Sequence, residues 1–110
     1  MIEKTIGEIE SKIRDTGAVN EDRKRELLQL LGQLKSEVGV LAKTHDEQAK
    51  SIAGFAQLSA HEATREKPNP QLRELSIQGL RSSVEGFEKS HPRLVEIVNT
   101  VSNTLSNLGI

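Results

Sequence analysis

A chain of 110 residues with net charge −1 and both signs mixed along it has no concentrated basic stripe for a duplex. With two Phe, no Trp and no Tyr it offers bases little to stack on. The absence of cysteine excludes disulfides and thiolate metal sites, and no run approaches the ~18 apolar residues that mark a membrane-spanning helix.

The core must come from Leu, Ile, Val and Ala, a composition that favours helices over a sandwich or barrel. Ile2, Ile6, Ile9 and Ile13 step by four, three and four, which predicts a first helix over about 2–15 with one narrow apolar stripe. Thr16-Gly17 is expected to end it, with Gly17 just past the last turn. Asn20 should cap the next helix, whose first turn carries Glu21 and Asp22.

From Leu27 the positions Leu31, Leu34, Val38 and Leu41 keep a 3,4 spacing that continues through His45, Gln48, Ile52 and Phe55. This predicts one uninterrupted second helix over about 21–64, roughly 66 Å long at about 1.5 Å per residue. Beside that seam Ala42, Ala49, Ala56 and Ala63 recur every heptad. They are either a stripe for close helix approach or simply good helix formers. Gly32, Gly39 and Gly54 fall off the seam, as weak spots or as places where a further helix packs.

Pro68 and Pro70 predict a loop over 65–69, with Asn69 as cap and Pro70 opening a third helix over about 70–88. Its seam, Ile77, Leu80, Val84 and Phe87, runs through His91 into Leu94, Val98, Val101, Leu105 and Leu108 of a fourth helix over about 92–108. Pro92 interrupts the pair. Because the heptad phase crosses it unchanged, a kink is favoured over a reversal. Folding at the 65–69 loop then makes a long antiparallel hairpin and places His45 near His91, with Gln48 a turn away, as a polar layer in the seam. After Glu96 no side chain is charged, so the outer side of the fourth helix tolerates burial against another protein.

The expected fold is therefore all-α: one domain over 1–110, a short N-terminal helix plus a long hairpin kinked at Pro92. It would be coiled-coil-like, or a four-helix bundle on oligomerisation. A homo-oligomer, with a dimer favoured, follows because a two-helix layer leaves its wide stripe partly wet.

The tail Phe87-Glu-Lys-Ser-His91-Pro92-Arg-Leu94, with Val98, Val101, Leu105 and a closing Leu108-Gly109-Ile110, resembles a family of small bacterial proteins classed as a domain of unknown function. Asn20-Glu-Asp-Arg-Lys-Arg-Glu-Leu27-Leu28 after a short helix resembles the same family. The chain departs from it by a longer middle, around 42–69, and by Leu108 in place of Met. The resemblance implies a small bacterial cytosolic helical protein and carries over no activity and no functional residue.

The chemistry is sparse. Glu88 and His91 have the spacing used on di-iron bundle helices, but neither His45 nor His61 supplies the second copy such a site needs. His61-Glu62 lacks the second His of a zincin helix. No Gly-rich phosphate loop follows a strand, and Ser, His and Asp sit within helical patterns that account for them. No catalytic, cofactor-binding or metal-binding residue is assigned, no cofactor is expected, and an enzyme is not expected. The reading favoured is a structural or interaction module, self-associating through its heptad faces, with an unidentified protein partner as a further option. The alternatives are a peripheral membrane binder using the C-terminal helix, which lacks a basic polar face and aromatic anchors, and a di-metal carboxylate bundle. An N-terminus without an apolar stretch and a cysteine-free chain are those expected of a cytoplasmic protein.

Overall fold

The computed structural model describes residues 2–108 and is all-helical. Five helices follow in order: α1 (Ile2–Asp15), α2 (Glu21–Ala42), α3 (Asp46–Thr64), α4 (Pro70–Ser82) and α5 (Pro92–Asn107). The two strongest start signals act as expected. Asn20 accepts a hydrogen bond from the Arg23 amide at 2.9 Å, and Asn69 accepts one from the Leu72 amide at 3.1 Å with Pro70 in the first turn. Each satisfies one amide that the helix itself leaves unpaired.

α1 ends as predicted, but Gly17 does not adopt the left-handed conformation of a glycine cap. Its four isoleucines are all buried. α1 runs antiparallel to α2: Glu10 pairs with Lys35 at 2.7 Å, and further along α1 the Arg14 carbonyl accepts from Lys24, earlier on α2, at 2.9 Å. It runs parallel to α3, with Glu8 accepting from Gln57 and Lys12 bonded to His61.

The single long second helix is not found. The chain leaves α2 at Lys43 and re-enters helix at Asp46, and α3 folds back on α2. Locally, the Thr44 hydroxyl donates to the Leu41 carbonyl, and Asp46 and Glu47 supply the acidic first turn that favours a new helix. Globally, burial decides. A rod of roughly 66 Å leaves its stripe wet, whereas the folded chain spans 37 Å in its longest dimension and buries Leu31, Leu34, Val38 and Leu41 almost completely.

The kink at Pro92 is likewise a reversal, and helix does not extend to Glu88. α4 stops at Ser82, the Ser83 hydroxyl bonds the Leu80 carbonyl at 2.6 Å, and Gly86 takes φ +94°, a conformation that residues with a Cβ rarely adopt. The Glu88 carboxylate accepts from the Gly86 amide at 2.8 Å. α5 then runs back along α4, and Arg81 donates to Asn103 at 2.8 Å.

The result is an up-down-up-down ring of α2, α3, α4 and α5, closed where α5 meets α2 through Thr104 with Glu26 and Arg93 with Glu37. α1 lies outside, over the α2–α3 groove. The four-helix bundle expected from association of chains is thus formed within one chain. Ile77, Leu80, Val84, Phe87, Leu94, Val98, Val101 and Leu105 are buried, as the seam predicts, and Leu108 is half-buried. Phe55 is not part of that core. α3 turns Ala49, Ile52, Ala53, Ala56, Ser59 and Ala60 inward instead, so of the heptad alanines Ala49 and Ala56 are buried, Ala42 and Ala63 are half-buried against the core, and Phe55 points outward.

Candidate functional site

Two surface features stand out. The first is apolar. Five large hydrophobics are exposed among the described residues: Val40 on α2, and Phe55, Leu58, Leu72 and Leu75 on α3 and α4. The last four line one shallow groove of about 220 Å³ together with Glu62 and Ser76. Phe55 reaches this face because α4 offers Gly79 beneath it: a Cβ there would stand 2.4 Å from the ring. Below the groove the Ser59 hydroxyl donates to the Ser76 carbonyl at 2.9 Å, pinning α3 to α4. Glu62 is buried at the groove's end and pairs with Arg65 at 2.9 Å. Leu58 also borders a second groove, of about 430 Å³ between α1 and α3, whose walls include Glu8, Lys12, Gly54, Gln57 and His61. Lys12 donates to His61 Nδ1 there at 2.8 Å.

The second feature is the expected polar layer, in a different place. His45 and His91 do meet, with ring centres 6.3 Å apart, and Phe87 lies 5.4 Å from the first and 5.7 Å from the second. They do not sit in a dry seam. His45 and Gln48 are exposed and His91 is half-buried, because both imidazoles belong to the turns that open α3 and α5. The two turns share one local geometry. His45 has φ −136°, ψ 64° and His91 has φ −138°, ψ 61°. The His45 amide donates to the Leu41 carbonyl and the His91 amide to the Phe87 carbonyl, each at 2.8 Å. His45 Nδ1 bonds the Thr44 hydroxyl at 2.8 Å and His91 Nδ1 the Ser90 hydroxyl at 3.0 Å.

That likeness has a sequence counterpart that the heptad reading passed over. Leu34-Lys-Ser-Glu-Val38 and Lys43-Thr-His45 return as Leu80-Arg-Ser-Ser-Val84 and Lys89-Ser-His91, at the same spacing. The α2–α3 and α4–α5 hairpins are two copies of one pattern, and antiparallel packing brings their turns to the same end of the bundle. Comparison of the chain with itself, rather than with a heptad template, finds it.

The candidate chemistry is correspondingly narrow. Among the described residues no three His, Cys, Asp or Glu side chains converge as metal ligands, and no helix is long and apolar enough to cross a membrane. The apolar face of α5 that a membrane-binding helix would insert is occupied: Leu94, Val98 and Val101 are at most 1% exposed. Gly109 and Ile110, the end of the resembling tail, lie outside the described residues.

No curated protein and no solved structure matches the chain. One family model does, the domain of unknown function DUF4404, over residues 27–110. The match leaves α1 and the first turns of α2 outside it and takes in both hairpin turns, the apolar α3–α4 face and the whole of α5. With most of its length matched, the chain belongs to the DUF4404 family.

Proposed function

We propose that this protein is a non-enzymatic interaction module that self-associates, two copies meeting through the exposed face of α3 and α4. One observation carries this reading: four of the five exposed large hydrophobics share a single groove. Contiguous apolar patches of a few hundred Å² mark interaction surfaces on small proteins.

A second copy fits this face better than an unrelated partner. α3 carries no Asp, Glu, Lys or Arg from Ser51 to Ala60, and the charged residues at its two ends pair within the chain, Asp46 with Lys50 and Glu62 with Arg65. A two-fold axis at the level of Ala56, with the two α3 helices antiparallel, therefore brings two uncharged stretches together. The same axis sets Leu58 over Gly54, beside which a Cβ meets no other atom within 4 Å. A stable interface needs about 800 Å² per partner. The four side chains cover only part of that, so the contact extends over the neighbouring α1–α3 groove.

Sedimentation velocity on the full chain tests the reading. The wild type is expected near twice 12.1 kDa. Leu75→Glu, at a position 57% exposed, is expected to give the monomer with an unchanged melting curve when diluted. A wild type that stays monomeric at its highest soluble concentration, or a Leu75→Glu protein that still dimerises, overturns it.

A further inference from the structure

We infer that His45 and His91 form a two-imidazole site for a borderline divalent cation such as Zn²⁺, at the end of the bundle where both hairpins turn. This goes beyond self-association and uses a different face of the molecule.

Three features of the structure point to it. First, the fold brings together two imidazoles from separate hairpins, with ring centres 6.3 Å apart. A tetrahedral ion bound at about 2.0–2.1 Å to two imidazole nitrogens holds ring centres about 5 Å apart, so closure takes a shift of about 1 Å. His45 is exposed, and its ring is held only by the adjacent Thr44 hydroxyl and an edge contact with Phe87.

Second, one nitrogen of each ring is occupied. The Thr44 hydroxyl lies 2.8 Å from His45 Nδ1 and 3.3 Å from the Leu41 carbonyl. With that hydroxyl oxygen accepting from Nδ1, Nε2 keeps the lone pair. An outer hydrogen bond at one nitrogen that fixes the other as a ligand is the usual arrangement around a metal-binding His. The Ser90 hydroxyl occupies Nδ1 of His91 in the same way.

Third, neither Nε2 has a hydrogen-bond or ion-pair partner among the described residues. Three charged groups close in sequence are engaged elsewhere: Asp46 with Lys50 at 2.9 Å, Glu88 with the Gly86 amide, and Arg93 with Glu37, while Lys43 and Lys89 stand in the two turns and oppose a cation. Phe87 closes one side with carbon.

No third protein ligand converges among the described residues, so water or a ligand from outside completes the shell. The positive ends of α3 and α5 also work against a cation, partly offset by Asp46 and Glu47. Both features make the site exchangeable and weaker than a four-ligand structural zinc site. Protons compete for the same lone pairs, so acid releases the ion.

The test is a titration of the full chain with ZnCl₂ alone, followed by imidazole ¹H–¹⁵N spectra and calorimetry. The His45 and His91 ring signals are expected to move together, reversibly with a chelator, while those of His61 stay. His91→Ala and His45→Gln are expected to weaken binding at least tenfold with helical content unchanged, and His61→Ala to leave it intact. Unmoved ring signals, a first response at His61, or wild-type affinity in His45→Gln overturns the assignment.

Discussion

α3 and α5 each follow a hydroxyl–histidine turn and run in the same direction, yet their inward faces differ in bulk. α3 turns mostly small residues inward, Ala49, Ala53, Ala56, Ser59 and Ala60, with Ile52 its one large apolar side chain there. α5 turns mostly branched residues inward, Leu94, Ile97, Val98, Val101 and Leu105, with Ser102 and Thr104 beside them. Their positions in the bundle explain it. α3 packs against every other helix, whereas α5 packs against α2, α3 and α4. A helix surrounded on most sides needs small residues so that its neighbours approach closely. A helix on one side of the ring must fill the space with branched side chains. The small inward face of α3 has a consequence outside: its large residues, Phe55 and Leu58, are left on the surface, where the proposed interface lies.

Six substitutions test this contrast and the likeness of the two hairpins. The largest effect is expected at Val101, which is 1% exposed. Val101→Asp places an unpaired charge in the core and should cost several kcal/mol, on the order of the largest single-site losses. Chemical denaturation checks it, and an unchanged midpoint would refute the inward face of α5.

Next is Ala56→Leu on the opposing face, 2% exposed. Overpacking there should cost about 1–3 kcal/mol. A neutral result would show that α3 is not closely surrounded.

Gly86→Ala comes third. It puts a Cβ on a residue at φ +94° and should cost about 1–2 kcal/mol. The corresponding position of the first repeat is Val40, within α2, where alanine is expected to be harmless. Thermal melts of the two alanine variants compare the two copies directly.

The smallest effects have opposite signs on the two helices. Ser59→Ala loses the bond to the Ser76 carbonyl and should cost about 1 kcal/mol. Ser102 is fully buried and its hydroxyl has no partner among the described residues. Ser102→Ala should therefore raise stability by up to about 1 kcal/mol.

Much of the core was legible. The seams Leu31–Leu41, Ile77–Phe87 and Leu94–Leu105 are all buried, and Asn20, Asn69 and Pro70 mark helix starts as expected. The reading failed where a seam was carried across a break. Gln48 and Phe55 continue the heptad on paper, but the helix restarts after His45, and the neighbouring alanine positions take the inward face. Periodicity reports which residues share a face only while the helix continues. The same blindness turned the reversal at 83–91 into a kink, since phase is preserved across either.

The histidines show the limit of such reading from the other direction. Their proximity was expected from a long hairpin and is found in a bundle. The long hairpin places them in a buried seam, whereas the bundle places them in two equivalent turns at its surface.

By itself, then, the sequence determined the helical class, the starts of three helices after α1, and most of the residues that avoid water. These rest on local capping and on a periodicity readable within one helix. Only the tertiary structure decided that the chain reverses at Thr44 and again between Ser82 and Pro92. A weak break becomes a turn when folding there buries more apolar surface than running straight, and that comparison involves every helix at once. The same decision turned α3's alanines inward, exposed Phe55 and Leu58, and brought His45 to His91.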